Sequence, residues 1–462
     1  MANTPNVPRP VQIFEVSTLY GAATVAAALD AGQFGPRDAA RRILLVSNNA
    51  SVPETATALP LMSGFEGLAA RFDETRDWNA MIRPHHPGGW MPRLDDAPLW
   101  ERVLRLGWGL GDAQVELVVE SLHAGPARAL TAIFGGSTIH VYADGLMSYG
   151  PTRDRLPYAV GRRVERLLHL DLVPGLRPML LSEYGVRAET VLDDAFRRVL
   201  AELGEAAASD PALTRAARSE PTAVLLGQYL AALDILTQEE EEQLHLRMLH
   251  GAVAAGHDSV LFKPHPSAPA SYSRALEKTA AEAGIRLTVL DRPLLAEAVY
   301  ERCRPSLVVG CFSTAMLTAA TYYGVPIAKV GTEVLLRRLR PYQNSNRVPV
   351  TLVDFLVADL ERGETPTAEV AVPTKRADDA GALLRTVGYC MQAELHPGLR
   401  EDAASWLTER LDGTTEDYFS RKRLTALELP GRDNSARAQL LRRVPALGRI
   451  SRRAGAARSG AE

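Results

Sequence analysis

The sequence predicts an α/β protein made of two parallel-sheet halves and a helical C-terminal extension. Three observations predict it. The chain has 462 residues, more than one ordinary core holds, since domains usually contain about 100–200. Short apolar runs alternate with helical patterns in the N-terminal part, and the same rhythm restarts beyond Arg218. Between them, Val191–Arg218 is rich in Ala, Glu and Arg and contains Asp210-Pro211, which reads as a helix and linker. The divisions expected are 1–205, 206–365 and a helical segment 366–462.

Buried strands of a parallel sheet read as continuous apolar runs separated by helices. Val11–Ser17, Arg42–Ser47, Val115–Glu120 and Thr138–Tyr142 fit this in the first half, with a small-residue helix near Ala22–Ala31. Asp73–Leu110, rich in Trp, Pro and His, reads as an irregular insertion or active-site loop followed by a helix. In the second half, strands are expected at Thr222–Leu226, Ser259–Lys263, Arg286–Leu290, Ser306–Val309 and Val325–Val330. Helices are expected at Glu239–Ala255, Tyr272–Ala283, Leu294–Arg302 and Thr314–Tyr323. Two such halves are Rossmann-like, and ligands in such sheets bind at the carboxyl ends of strands.

Composition is that of a folded protein, 46% hydrophobic and 23% charged, and the net charge of −3 gives no pull toward nucleic acid. Three cysteines, Cys303, Cys311 and Cys390, have no metal spacing, and a sparse odd set suits a reducing compartment. The first residues lack the basic and apolar regions of a secretory leader, and no run of about 18 apolar residues exists. A cytoplasmic location follows as the expectation. The segment Ala436–Ser459 carries Arg437, Arg442, Arg443, Arg449, Arg452, Arg453 and Arg458 among Leu, Val and Ile. Two readings stay open: a solvated tail, or a basic helix in peripheral contact with the inner face of the membrane.

Chemistry concentrates at three strand ends. Ser259–Lys263 runs directly into Lys263-Pro264-His265-Pro266, whose prolines restrict the backbone on both sides of His265. An imidazolium there can donate a hydrogen bond or a proton to a phosphate. Ser306–Val309 runs through Gly310 into Ser313-Thr314 at a helix start, where hydroxyls and free backbone N–H groups together form an anion site. Thr138–Tyr142 ends in Ala143-Asp144-Gly145. Asp-Gly is an ordinary turn signal, but a carboxylate at that end could take a proton from a hydroxyl.

Weaker candidates surround these. Arg153 could hold an anion. Gly227-Gln228, after Thr222–Leu226, could read a base or sugar. Ser17, Thr18 and Tyr20 follow the first strand and could line an acceptor side. His85-His86 lack a third ligand nearby, so no metal site is expected there.

The order Asp144-Gly145, His265-Pro266, Ser313-Thr314 resembles the bacterial sialyltransferase and polysialyltransferase group with the two-domain GT-B fold. QIFEVSTLYGAATVAAALDAG, RRILLVSNNA and YADGLMSYGPTR are similar to its α-2,8-polysialyltransferase-like branch in actinobacteria. The resemblance spans about residues 10–345. It implies that two Rossmann-like domains face each other across a cleft, with the acceptor in the first and a CMP-sugar in the second. It implies Asp144 as general base and His265 as general acid. Lys263, Pro266, Ser313, Thr314, Gly227, Gln228 and Gly310 fall on the donor side, and Ser17, Thr18, Tyr20, Gly145 and Arg153 on the acceptor side. One position departs: Ala143 stands where the family often has the first of two acidic residues.

The expected activity is inverting transfer of sialic acid or a related nonulosonic acid such as Kdn from its CMP form to a glycan or lipid-linked hydroxyl, with no cofactor. The chain has no Asp-x-Asp, the usual device for a metal on a nucleotide diphosphate. Two alternatives stay open. A CDP-alditol phosphotransferase of the teichoic-acid type would need a second His-Pro element, for which His86-Pro87 and His396-Pro397 are the sources. A non-catalytic GT-B protein would bind glycan or nucleotide alone.

Overall fold

The computed structural model describes residues 9–143, 145–265, 270–370 and 374–432. The chain divides into two compact units, Met1–Leu384 and Arg385–Glu462. The first holds two wholly parallel sheets. One is ordered β3-β2-β1-β4-β5-β6-β7, from β1 (Val11–Val16), β2 (Arg41–Val46), β3 (Glu74–Asp77), β4 (Val115–Val119), β5 (Thr138–Ala143), β6 (Val164–His169) and β7 (Arg187–Thr190). The other is ordered β10-β9-β8-β11-β12-β13, from β8 (Ala223–Leu226), β9 (Ser259–Lys263), β10 (Arg286–Val289), β11 (Leu307–Gly310), β12 (Ile327–Lys329) and β13 (Ala358–Asp359). This is an α/β architecture with two parallel sheets, as the sequence predicts. In each sheet the strand order reverses once, at β1/β4 and at β8/β11, and such a reversal opens a crevice at the carboxyl ends.

Central strands are buried along their whole length because helices cover both faces. On one face of the first sheet Ile13, Leu45, Leu117 and Val141 pack with Trp78 and Trp108. On the other, Phe14 meets Phe34 and Phe72 edge to face, with centroids 4.9 and 5.3 Å apart.

Three strands of the first sheet differ from the sequence expectation. The edge strands β3 (ETRD) and β7 (RAET) are almost wholly polar, and β6 (VERLLH) begins with a polar stretch. An edge strand has one solvated side and needs no apolar run. The stretch read as an irregular insertion therefore contains β3, the short helix Trp78–Ile82 and the helix Ala97–Gly107.

The helix and linker expected over Val191–Arg218 form two packed helices, Asp193–Ala207 and Pro211–Arg218. The first lies against both the helix Leu19–Asp30 and the helix Ala296–Cys303. It comes so close to the latter that a Cβ on Gly204 would sit 2.9 Å from Glu301 Cγ. Arg71 links it to the end of the helix Leu19–Asp30, bonding Glu202 and Asp30 at 2.8 Å each. The segment thus ties the two sheets together within one unit.

The second unit is helical, with Arg400–Arg410 and Arg421–Ala426 held by the contact of Trp406 with Phe419 and by Arg423 Nε donating to Cys390 O. All three cysteines are free thiols. Among the described residues, no helix is long and apolar enough to cross a membrane. The basic segment Ala436–Ser459 lies outside the described residues.

Candidate active site

In the second sheet the register brings three sequence motifs into line. Leu226 pairs with Lys263, and Leu225 with Val309, so β9, β8 and β11 end at one level. Lys263-Pro264-His265, Gly227-Gln228 and Gly310 therefore leave adjacent strands side by side. Both glycines lie at close approaches, and at Gly227 the approach is to backbone. A Cβ on Gly227 would lie 2.9 Å from Pro264 Cα and 3.1 Å from His265 N, and one on Gly310 would lie 2.7 Å from Met316 Sδ.

His265 is half-buried, and its ring stacks on Tyr229 with centroids 3.8 Å apart and planes 22° from parallel. Burial, then the charge of Lys263, pushes the imidazole down to about 4. The loop bearing Tyr229 is fastened from below by the helix Gln238–Ala254. Glu241, fully buried, accepts from Leu230 N and Ala231 N at 2.8 Å each and from Tyr272 Oη at 3.1 Å. One turn further on, His245 Nε2 accepts from Gln228 N at 3.1 Å, and burial lowers this imidazole to about 4. Gln228 is itself buried.

Lys263 is buried and donates from Nζ to Arg292 O at 2.9 Å. Burial lowers it to about 8, opposed by the charges of Asp291 and Glu297. Glu297 is buried, is pushed up to about 7 by desolvation, and is hydrogen-bonded by Thr318. Ser313 caps the helix Thr314–Tyr323, its Oγ accepting from Ala315 N at 3.3 Å. Thr314 Oγ1 faces the first half of the unit and accepts from Leu146 N at 3.5 Å.

The first sheet meets this helix at two places. Tyr20 Oη and Thr318 Oγ1 are 3.1 Å apart, and a Cβ on Gly145 would lie 3.0 Å from Thr314 Oγ1. Ser17 donates to Glu120, while Thr18 Oγ1 caps its own helix by accepting from Gly21 N. Arg153 is exposed beside Asp154, and both act on the charge of His123. His86 is tied locally: its Nε2 lies 2.8 Å from Ala50 O and its Nδ1 accepts from Gly88 N. His396 lies in the second unit. Asp144 and Pro266 lie outside the described residues.

A pair of carboxyls that no sequence motif marks stands at the reversal point of the first sheet. Glu15 ends its side chain 3.3 Å from Glu120 N, and Glu120 Oε2 accepts from Ser17 Oγ at 2.8 Å. Burial first, then the charge of Glu120, pushes Glu15 up to about 8, and burial raises Glu120. His123, three residues beyond Glu120, has a buried Nε2 without a protein partner among the described residues. The sign they leave in the sequence is a glutamate near the carboxyl end of the apolar run VQIFEV, and another directly after VELVV. Nor does a motif mark Tyr229, Glu241 and His245, because they act through a loop whose path the sequence does not show. Among the described residues, no group of three or more His, Cys, Asp or Glu side chains is placed to hold a metal ion.

Comparison with known proteins adds to this geometry. Among solved structures, a sialyltransferase GT-B domain from Photobacterium damselae is 12% identical, with TM-score 0.40, over 74% of this chain and 95% of its own. A glycosyltransferase from Rickettsia africae ESF-5 is 9% identical, with TM-score 0.38, over 85% and 98%. A UDP-GlcNAc 2-epimerase from Neisseria meningitidis is 9% identical, with TM-score 0.42, over 84% and 99%. No curated protein sequence matches the chain. The family model for alpha-2,8-polysialyltransferase (POLYST) matches residues 12–332, which takes in both sheets' strand-end motifs from Ser17 to Ser313. The chain belongs to the alpha-2,8-polysialyltransferase family.

Proposed function

We propose that this protein transfers sialic acid or a related nonulosonic acid from a CMP-activated donor to a glycan hydroxyl, with inversion and without a metal. The observation that supports the reading is the common level at which β9, β8 and β11 end, which sets the exits leading to His265, Gly227 and the Ser313 helix start side by side. A CMP-sugar has one phosphate, and its leaving group is a phosphate monoester. One imidazole and one helix N-terminus suffice to hold such a group.

In this scheme Ser313, Thr314 and the free N–H groups of the helix start anchor the phosphate. Its negative charge opposes the burial that holds His265 neutral, so the imidazole takes up a proton as the donor binds. It then hydrogen-bonds or protonates the departing oxygen. The acceptor's hydroxyl proton goes to a carboxylate on the wall of the first sheet, for which the sequence motif offers Asp144. Glycan or lipid-linked acceptors would lie on that wall beside Ser17, Tyr20 and Gly145. The protein would meet its donor in the cytoplasm, and the arginine-rich segment Ala436–Ser459 would draw it to anionic lipid.

The test is release of CMP from several CMP-sugars with and without glycan acceptors. His265→Ala should lower turnover by about 100-fold or more, the usual worth of acid catalysis. Unchanged turnover in that variant, or CDP-alditols consumed in place of CMP-sugars, would sink the reading.

A further inference from the structure

Three neighbouring strands of the first sheet, β1, β4 and β5, lie in that order, with β4 in the middle. The exits of both flanking strands touch the helix Thr314–Tyr323. Beyond β1, Tyr20 Oη meets Thr318 Oγ1; beyond β5, Leu146 N meets Thr314 Oγ1. The exit of β4 therefore opens between these two contacts, facing the first turns of the helix proposed to hold the donor phosphate. The residue at that exit is Glu120. The last residue of β5 is Ala143, which brings no proton-accepting group.

Glu120 is set for one task. Ser17 Oγ donates to its Oε2, which leaves Oε1 for another partner. Its own N–H donates to Glu15 Oε2, so the two carboxyls stand next to each other at the strand-order reversal. Glu15 is only 2% exposed, whereas Glu120 is half-buried. Ser47, at the exit of β2, also hydrogen-bonds Glu15, and Tyr142 on β5 donates to the Glu15 carbonyl. The other titratable side chain on this loop is His123, near Arg153 and Asp154. Two adjacent buried carboxyls do not both ionise, because like charges in a poorly solvated site repel. The sealed member, Glu15, keeps the proton, and the less buried member, Glu120, carries the charge.

We propose that Glu120 is the carboxylate that accepts the acceptor's hydroxyl proton, with Glu15 as its positioning partner. This deepens the sialyl-transfer reading and rests on it. As the hydroxyl oxygen bonds to the anomeric carbon, its proton passes to a Glu120 oxygen. The bond from that carbon to the phosphate oxygen breaks, and its electron pair leaves with CMP, received by His265.

The experiment uses the full chain with CMP-sialic acid and an oligosialic acid acceptor. It compares Glu120→Gln, Glu120→Asp, Glu15→Gln and Asp144→Asn, with CMP binding measured calorimetrically as a check of folding. Glu120→Gln should lose about 100-fold or more in kcat, the lower range for a general base, with donor KM and CMP binding retained. Glu120→Asp should recover part of that loss. Glu15→Gln replaces one neutral neighbour with another, so it should lower turnover only a few-fold and leave the acid limb of the pH profile in place; a limb moved to lower pH would mean that Glu15 carries the charge and Glu120 the proton, which overturns the assignment. Glu120→Gln turnover within about threefold of the parent, with Asp144→Asn inactive, sinks this assignment and leaves the donor reading standing. A parent chain that neither binds CMP nor cleaves CMP-sialic acid sinks both.

Discussion

The ring of Tyr229 lies flat against the imidazole of His265, 3.8 Å from centroid to centroid. The contact joins the exit of β8 to the exit of β9 and limits the rotation of His265 about its side-chain bonds. A stacked aromatic pair is worth about 0.5–1.5 kcal/mol beyond its buried area. Tyr229→Phe keeps the stack and should leave turnover within about threefold. Tyr229→Ala removes the stack and exposes the imidazole, so turnover should fall about tenfold. The pKa of His265, followed by nuclear magnetic resonance, should rise from about 4 toward the ordinary histidine value. A resonance that titrates alike in both variants would show that Tyr229 plays no part.

Glu241 holds that stack indirectly. Its carboxylate is the acceptor for Leu230 N and Tyr272 Oη, both buried, and for the part-buried Ala231 N. Removing the carboxylate leaves those donors unpaired, and each buried unpaired donor costs about 1–3 kcal/mol. Glu241→Ala should therefore destabilise by about 3 kcal/mol or more in urea unfolding. Glu241→Gln offers one acceptor oxygen and turns an amide N–H toward the remaining donor, so it should lie between. Equal midpoints for all three proteins would mean that the loop is held otherwise.

The sequence made the second sheet far more legible than the first, and the reason is burial. β8, β9 and β11 are wholly apolar or nearly so, and the strand Ser259–Lys263 and helix Thr314–Tyr323 have the expected ends. The polar strands β3 and β7 carry no such pattern, since an edge is specified by its neighbour's backbone and not by its own side chains. The same division holds for the site. His265 and Ser313 announce themselves because Pro and Gly frame them. Glu15 and Glu120 do not, because their meaning comes from a pairing between residues 105 positions apart, visible only once β1 lies beside β4.

His265 and His245 are both pushed down to about 4 by burial. In the unfolded chain each would titrate near 6.5. As pH falls from about 6.5 to about 4, the unfolded chain binds protons that the folded chain does not, so both groups remove stability over that window. The effect is at most about 3 kcal/mol each. Binding of a phosphate ligand should oppose it at His265. CMP affinity should therefore rise as pH falls below about 7, with net proton uptake visible as a dependence of binding enthalpy on the buffer's ionisation enthalpy. His265→Gln should abolish that dependence, and a buffer-independent enthalpy in the parent protein would exclude proton uptake at this histidine.

Gly227 tests whether the alignment of strand ends matters to function independently of stability. A methyl group there would press on Pro264 Cα at 2.9 Å, Phe262 Cζ at 3.0 Å and His265 N at 3.1 Å. Two of these three are backbone atoms, which cannot swing aside as the end of a flexible side chain can. The β9 exit must move, and His265 with it. Overpacking of this kind costs about 1–3 kcal/mol, and a displacement near 1 Å in a reacting group can cost about 100-fold in rate. Gly227→Ala should therefore lose far more turnover than its melting shift explains. Gly136→Ala is the control, since a Cβ there meets nothing within 4 Å and its backbone is not in the left-handed region. Turnover of Gly227→Ala comparable to that control would mean that the β8 and β9 exits need not be held this close for catalysis.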